Sequence, residues 1–102
     1  DGLAMSSRNK FLSPHERQAA TILYDALQLF SKEVRKGNRD GRGLKFLIES
    51  KIKEEPLARL DYFAIVDRGT LKELVDIKGP IMAALAVYIG KTRLIDNIWL
   101  EV

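Results

Sequence analysis

The feature that most constrains the fold is a change in the spacing of apolar residues near position 58. Before it, apolar residues recur every three or four positions, which is the period of an amphipathic helix. After it, they alternate with polar residues or run together, as they do in β-strands. Because helices precede strands without alternating with them, the sequence predicts an α+β domain: two helices packed on a small three-stranded antiparallel sheet.

The first helix is predicted over residues 14–36. Ser13 is a good N-cap, a proline follows it, and Glu16 completes a capping box. Apolar residues then recur every fourth position over residues 22–34, and Gly37 suits the end of the helix. The exposed start of such a helix is also the place where we expect the lone histidine, His15.

The second helix is predicted to follow the Asn-, Asp- and Gly-containing turn at residues 38–43, with Asp40 as its N-cap. It extends to about Glu54, and Pro56 ends it. Its apolar residues share one face: Leu44, Leu47, Ile48 and Ile52.

Three strands are predicted, over residues 59–67, 81–89 and 93–101. The first alternates, with Leu60, Tyr62, Ala64 and Val66 on one side and Asp61, Phe63, Ile65 and Asp67 on the other. The second is apolar throughout, which suits a strand buried on both faces, although its period alone leaves a buried helix open. The turn at residues 90–93 predicts that the last two strands pair as an antiparallel hairpin.

Composition limits the classes of function. A length of 102 residues indicates one domain, and a net charge of +3 mildly favours anionic partners such as nucleotides. The absence of cysteine excludes disulfides and thiolate metal sites, and a single histidine argues against a zinc site. The longest apolar run, residues 81–89, is too short to cross a bilayer, so we expect no membrane partner.

The Gly-Lys-Thr run at residues 90–92 invites comparison with a phosphate-binding loop. That motif needs a glycine five residues earlier, where this chain has Leu85, and a helix after the threonine, where a strand is predicted. A hairpin turn is the better interpretation.

Two polar residues, Asp96 and Asn97, lie in the middle of the last predicted strand. A cross-strand hydrogen bond or an edge position explains them better than a functional role. Trp99 and Tyr88 are interpreted as core or interface aromatics.

The segment Met-Ser-Ser-Arg-Asn at residues 5–9 carries the chemistry of an anion-binding loop. The hydroxyls of Ser6 and Ser7 can donate to phosphate oxygens, and the guanidinium of Arg8 adds a forked donor with permanent charge. The start of the first helix would add positive potential if the segment folded back toward it. On composition alone, an ordinary polar loop remains the alternative.

The string DGLAMSSRN-x-x-LS at residues 1–13 resembles the signature of the pantoate–β-alanine ligase (pantothenate synthetase) family. The similarity continues through EEPLARLDYFAIVD at 54–67, TLKEL at 70–74 and IKGPIMAALAVYIGKTRLIDNI at 77–98. These blocks resemble the C-terminal domain of that family in order and spacing, over essentially the whole chain.

The resemblance implies an ATP-dependent ligase that forms pantoyl-adenylate from pantoate, with Mg²⁺ bound to the nucleotide, and transfers the pantoyl group to β-alanine. Residues 1–10 would be the counterpart of the mobile KMSKS loop of class I aminoacyl-tRNA synthetases, and residues 11–102 a C-terminal lid domain. Met5 would lie near the adenine, and Ser6, Ser7 and Arg8 would bind the triphosphate and the developing pyrophosphate charge.

The resemblance also implies a missing partner. The family's N-terminal Rossmann-like domain carries the paired-histidine motif, the pantoate and β-alanine contacts and the principal dimer surface. We therefore expect a cytoplasmic, homodimeric full-length enzyme, no nucleic-acid partner, and no activity from this chain alone. No protein ligand for Mg²⁺ is identified in the chain.

The alternative is a small basic α+β module that binds nucleic acid or a protein. Its support is the positive charge and a set of exposed residues: Lys32, Arg35, Lys36, Arg39, Arg42 and Trp99. On this interpretation, nucleic acid would bind with a steep salt dependence.

Overall fold

The computed structural model describes residues 12–102. Helices α1, α2 and α3 span Pro14–Ala19, Thr21–Arg35 and Gly41–Ile52. Strands β1, β2 and β3 span Ala58–Asp67, Ile81–Ile89 and Thr92–Leu100, and they form one antiparallel sheet in the order β1-β2-β3. The predicted α+β class and three-stranded sheet are confirmed. No helix within residues 12–102 is long and apolar enough to cross a membrane.

The first predicted helix is present but is divided at Ala20 into α1 and α2, so a single helix over residues 14–36 is wrong. The hydroxyl of Thr21 donates to the carbonyl oxygen of Gln18 at 2.8 Å, and the amide of Leu23 bonds to the carbonyl of Ala20, three residues back, at 3.2 Å. A threonine hydroxyl that binds a preceding carbonyl competes with the helical ladder, which explains the interruption.

The start of α3 is held by backbone from elsewhere in the chain. Asp40 occupies the N-cap position, but its side chain makes no capping hydrogen bond, so that part of the prediction is wrong. Instead, the amide of Gly41 donates to the carbonyl of Val75 at 2.7 Å. A Cβ at Gly41 would collide with that carbonyl, which explains the small residue here.

The hydrophobic core lies between the helices and one face of the sheet. Phe30 of α2 meets Phe63 of β1 edge to face, with ring centroids 5.6 Å apart. Helices α2 and α3 and the central strand supply its largest fully buried side chains: Phe30, Leu44, Ile48, Ile52, Ile81, Leu85, Val87 and Ile89.

Strand β1 contains a bulge that changes which side chains face the core. Leu60 pairs with Val87, but the next paired residue is Tyr62, opposite Ala86, so Asp61 is an extra residue. Because one extra residue reverses the alternation, Leu60 packs against the core while Tyr62 points away from it. The prediction that Leu60 and Tyr62 share a side is therefore wrong.

Strand β2 is the central strand, and it is covered by helices on one face alone. Its odd-numbered residues are buried, whereas Met82, Ala84 and Tyr88 on the opposite face are half-buried. The strand is confirmed, and its expected burial on both faces is wrong. A two-residue turn joins it to β3, since Ile89 pairs with Thr92 and Gly90 has a φ of +60°.

The chain leaves β1 through a turn closed by Asp67. Its carboxylate accepts hydrogen bonds from the amides of Gly69 at 2.7 Å and Thr70 at 2.9 Å. These two bonds lower the pKa of Asp67 below its ordinary value because they stabilise the charged carboxylate, and the bond from the Thr70 amide has the larger effect.

Candidate functional site

The predicted phosphate-binding residues, Met5, Ser6, Ser7 and Arg8, lie outside the residues that the structure describes. The described chain begins at Leu12, which is half-buried and packs against the hydrophobic core. The structure therefore describes the residues that directly follow this segment, and the surfaces around them.

A capping box at the start of α1 holds the residues that follow this segment. The amide of Glu16 donates to the hydroxyl of Ser13 at 3.1 Å, and the amide of Ser13 donates to the carboxylate of Glu16 at 3.1 Å. The box predicted from the sequence is confirmed. Because the Glu16 carboxylate already occupies this end of a six-residue helix, we do not assign the helix terminus to phosphate binding.

The start of α1 lies against the turn between β2 and β3. A Cβ at Gly90 would collide with a carboxylate oxygen of Glu16, so the two elements are in close contact. The amide of Gly90 also donates to the carbonyl of Leu57 at 3.3 Å. The segment that carries residues 5–8 is thus joined to the domain beside this end of the sheet.

The face of the sheet away from α2 and α3, here called the open face, is rich in apolar side chains. Across its middle, Tyr62, Ala86 and Ile95 lie side by side on β1, β2 and β3. Tyr62 is 41% exposed, Ile95 is 46% exposed, and Trp99 near the other end is 55% exposed. Ala86, which lies between Tyr62 and Ile95, is fully buried.

Three arginines are held against the aromatic rings of the open face. The guanidinium carbon of Arg59 lies 4.8 Å from the centroid of Tyr88, that of Arg68 lies 4.8 Å from Trp99, and that of Arg93 lies 5.8 Å from Tyr62.

Two of these arginines are also paired with carboxylates. Nε of Arg93 lies 2.8 Å from Oδ2 of Asp61, and this hydrogen bond raises the pKa of Arg93. Arg68 pairs with Glu101 at 2.9 Å. The open face therefore presents oriented positive groups around an apolar centre.

The polar pair in the last strand has a local structural explanation. Strand β3 is at the edge of the sheet, as expected for Asp96 and Asn97. The Asp96 carboxylate accepts from the amide of Asn97 at 2.8 Å, and the Asn97 side-chain oxygen accepts from the indole of Trp99 at 2.8 Å. Trp99 is exposed and Tyr88 is half-buried, so neither is a core residue.

All but one of the basic residues of the alternative interpretation lie along two adjoining grooves. Lys32, Arg35 and Lys36 line the first of them, on α2. Arg35 and Arg39 line a groove with Trp99 near residue 102. Glu101 also lines that groove, and Arg42 lies elsewhere, between α3 and β1. The groove beside Trp99 combines positive and negative charge, whereas the groove on α2 is lined by basic and neutral side chains.

Metal ligands are not grouped in the part of the chain from residue 12 onward. No cluster of three or more histidine, cysteine, aspartate or glutamate side chains occurs there. His15 is exposed, as predicted.

Sequence reasoning missed the arrangement of the open face. A two-residue turn at residues 90–91, read from the sequence, would have predicted that Arg93 lies opposite Tyr88, because Thr92 then pairs with Ile89. The pairing of Arg93 with Asp61, however, depends on the bulge in β1, which has no signal in the alternation of the sequence.

Comparisons with known proteins agree with the resemblance. Residues 1–99 match the family model described as pantoate-beta-alanine ligase. The chain is 58% identical over 102 residues to the pantothenate synthetase of Carboxydothermus hydrogenoformans, covering 100% of this chain and 36% of that protein. It is 50% identical over 101 residues to that of Clostridioides difficile, with 99% and 36% covered.

The fold has a counterpart among solved structures. A crystal structure of pantothenate synthetase from Thermus thermophilus superposes with a TM-score of 0.86 at 36% sequence identity, covering 95% of this chain and 35% of that one. The chain thus spans about a third of the length of the curated relatives it matches.

Proposed function

Because the chain belongs to the pantoate–β-alanine ligase family, we propose that the full-length enzyme containing it condenses pantoate with β-alanine at the expense of ATP. The observation that carries this proposal is the match of residues 1–99 to the family model. That match includes the Ser-Ser-Arg segment at residues 6–8, whose side chains suit phosphate binding.

The proposed reaction has two steps. A carboxylate oxygen of pantoate attacks the α-phosphorus of ATP, and pyrophosphate leaves with the electron pair of the broken P–O bond. The amine of β-alanine then attacks the acyl carbon of pantoyl-adenylate, AMP leaves, and the attacking nitrogen loses a proton. Negative charge develops on pyrophosphate in the first step, so fixed donors and cations near it accelerate adenylation.

In this proposal, residues 5–8 act on the nucleotide. Arg8 binds the triphosphate and the developing pyrophosphate charge, and Ser6 and Ser7 donate their hydroxyl protons to phosphate oxygens. Met5 lies near the adenine. In this proposal, Mg²⁺ is bound together with the ATP substrate.

This chain is proposed to be the C-terminal lid, with residues 1–10 as the phosphate-binding loop at the junction and 11–102 as the lid domain. The remaining two-thirds of the relatives' length would supply a Rossmann-like nucleotide-binding domain, the contacts to pantoate and β-alanine, and the dimer surface. Closure of the lid would exclude water from a reactive acyl-adenylate. Its proposed location is the cytoplasm.

The test compares the full-length enzyme with residues 1–102 alone. We expect the full-length enzyme to form pantothenate, AMP and pyrophosphate in equal amounts, and the isolated chain to form none. Formation of another amide, or no reaction with pantoate and β-alanine, would contradict the proposed substrates. Turnover by the isolated chain, free of full-length enzyme, would contradict its role as a lid.

A binding module for nucleic acid remains the second candidate, because Arg35, Arg39 and Trp99 line one groove. It predicts binding of single- or double-stranded nucleic acid that weakens steeply as salt rises. The ligase proposal predicts no such binding, so a salt titration distinguishes the two.

A further inference from the structure

We propose that the open face of the sheet is the surface through which this domain docks on the rest of the full-length ligase. The docking is centred on Tyr62 and Ile95, with Arg59 and Arg93 beside them. This inference rests on the proposed function, since it takes its partner from the two-thirds of the relatives' length that lies outside this chain.

Large apolar groups are exposed on the open face. Tyr62, Ile95 and Trp99 are 41%, 46% and 55% exposed, and all three project from the same side of the sheet. Contiguous apolar groups ringed by charge are typical of contact surfaces, whereas isolated exposed apolar residues are ordinary. The other face of the sheet already has its partner in α2 and α3.

The charged groups of the open face are already oriented. Arg93 is held by Asp61 at 2.8 Å and lies over the Tyr62 ring, and Arg59 lies over Tyr88. Side chains that are ordered before binding lose less conformational entropy when a partner arrives. Aromatic and arginine side chains are also the types enriched at interface centres.

The rest of the enzyme would attach close to the open face. Under the proposed function, the nucleotide-binding domain precedes residue 1 and is connected through Leu12, next to α1. Glu16 of α1 contacts the Gly90 turn, and Tyr88 and Arg93 lie beside that turn on the open face. The attached domain is therefore tethered at the end of the sheet where Arg59 and Arg93 lie.

Charge favours this occupant over a second copy of the same chain. The open face carries Arg59, Arg68 and Arg93 against two carboxylates, Asp61 and Glu101. These groups leave each copy with a net charge of +1 on this face, so two copies joined through it would repel each other weakly and gain no charge complementarity. The expected partner surface is apolar at its centre and bears carboxylates at its rim.

The test is hydroxyl-radical footprinting of the full-length enzyme, with and without ATP and pantoate. Tyr62 on the open face and Tyr24 on α2 form a matched pair, because they are 41% and 44% exposed in this domain. We expect Tyr62 to be oxidised about fivefold more slowly than Tyr24 in at least one ligand state, since docking excludes water. Equal rates in every state would overturn the proposal.

Two further results distinguish a second copy of the chain from the rest of the ligase, and the docking surface from the proposed reaction. Protection of Tyr62 that grows with protein concentration would indicate a second copy and would overturn the proposal. Because the footprint requires no turnover, failure of the docking surface and failure of the proposed reaction give different results. An enzyme that makes pantothenate but leaves Tyr62 unprotected contradicts only the docking surface, whereas protection without pantothenate formation contradicts only the proposed reaction.

A pair of variants provides a second measurement. Ile95→Glu places a charge in the centre of the open face, and Phe46→Glu makes the same change at a 71% exposed position on α3. We expect Ile95→Glu to abolish the protection of Tyr62 and to lower kcat/KM for ATP about tenfold, with Phe46→Glu close to wild type. Equal effects of the two variants would contradict the proposal.

Discussion

The two faces of the sheet differ although the same strands build both. On β2, Leu85 and Val87 are fully buried against the helices, whereas Ala84 on the other face is half-buried. Tyr62 and Ile95, which flank Ala86 on that face, are exposed. The covered face is filled with aliphatic side chains, which stabilise the fold. The open face combines rings, arginines and small residues, which suits contact with a partner. Substitutions on the covered face should therefore alter stability, and those on the open face should alter function.

The largest expected effect on stability is at Leu85. Truncation by Leu85→Ala removes a fully buried side chain and leaves a cavity, so we expect a loss of about 2–5 kcal/mol in the free energy of unfolding. Hydrogen exchange of the β2 amides in the full-length enzyme reports this opening free energy directly.

The matched control is Ile95→Ala on the open face. Because Ile95 is 46% exposed, its truncation should change the same opening free energy by less than about 1 kcal/mol. Equal losses for the two variants would remove the distinction between the faces.

A smaller effect is expected where α1 begins, beside the sheet's β2–β3 turn. Ser13→Ala removes the hydroxyl that accepts from the Glu16 amide and should destabilise α1 by about 0.5–2 kcal/mol. Faster hydrogen exchange of the α1 amides would show this. Ser50→Ala, at an exposed position within α3, is the control and should be neutral or slightly stabilising. Unchanged exchange in Ser13→Ala would mean that the capping box does not hold this end of the domain.

The smallest effect is expected at Asp67, at the end of β1. Folding lowers the pKa of Asp67, so its contribution to stability is present above its ordinary pKa of 3.8 and is lost as pH falls through the lower folded value. Acid unfolding of Asp67→Asn should lack this dependence below about pH 4, whereas Asp25→Asn on α2 should retain it. An unaltered acid transition in Asp67→Asn would contradict this assignment.

Much of the fold could be predicted because its signals are local. The capping box at Ser13 and the turn at Gly90 each depend on residues close in sequence, and both are confirmed. The interruption at Ala20 and the bulge at Asp61 were missed because each depends on side-chain and register choices that apolar spacing does not encode. These two local departures leave the element order unchanged.

The candidate site was less predictable than the fold. The composition of residues 5–8 is compatible with an anion-binding loop and with an ordinary polar loop. The family resemblance favours the anion-binding loop. The open face was missed for a physical reason. The partner of Arg93 is Asp61, 32 residues away, and they meet only once the bulge turns Tyr62 outward.

The most direct test of the proposed phosphate-binding loop is the rate of pantoyl-adenylate formation in a single turnover of the full-length enzyme carrying Arg8→Ala. If Arg8 stabilises the developing pyrophosphate charge, the barrier should rise by about 2–4 kcal/mol, which slows adenylation by roughly 30- to 1,000-fold. Arg35→Ala, an exposed arginine on α2, is the matched control and should adenylate at the wild-type rate. An unchanged rate of pantoyl-adenylate formation in Arg8→Ala would contradict the role assigned to the loop.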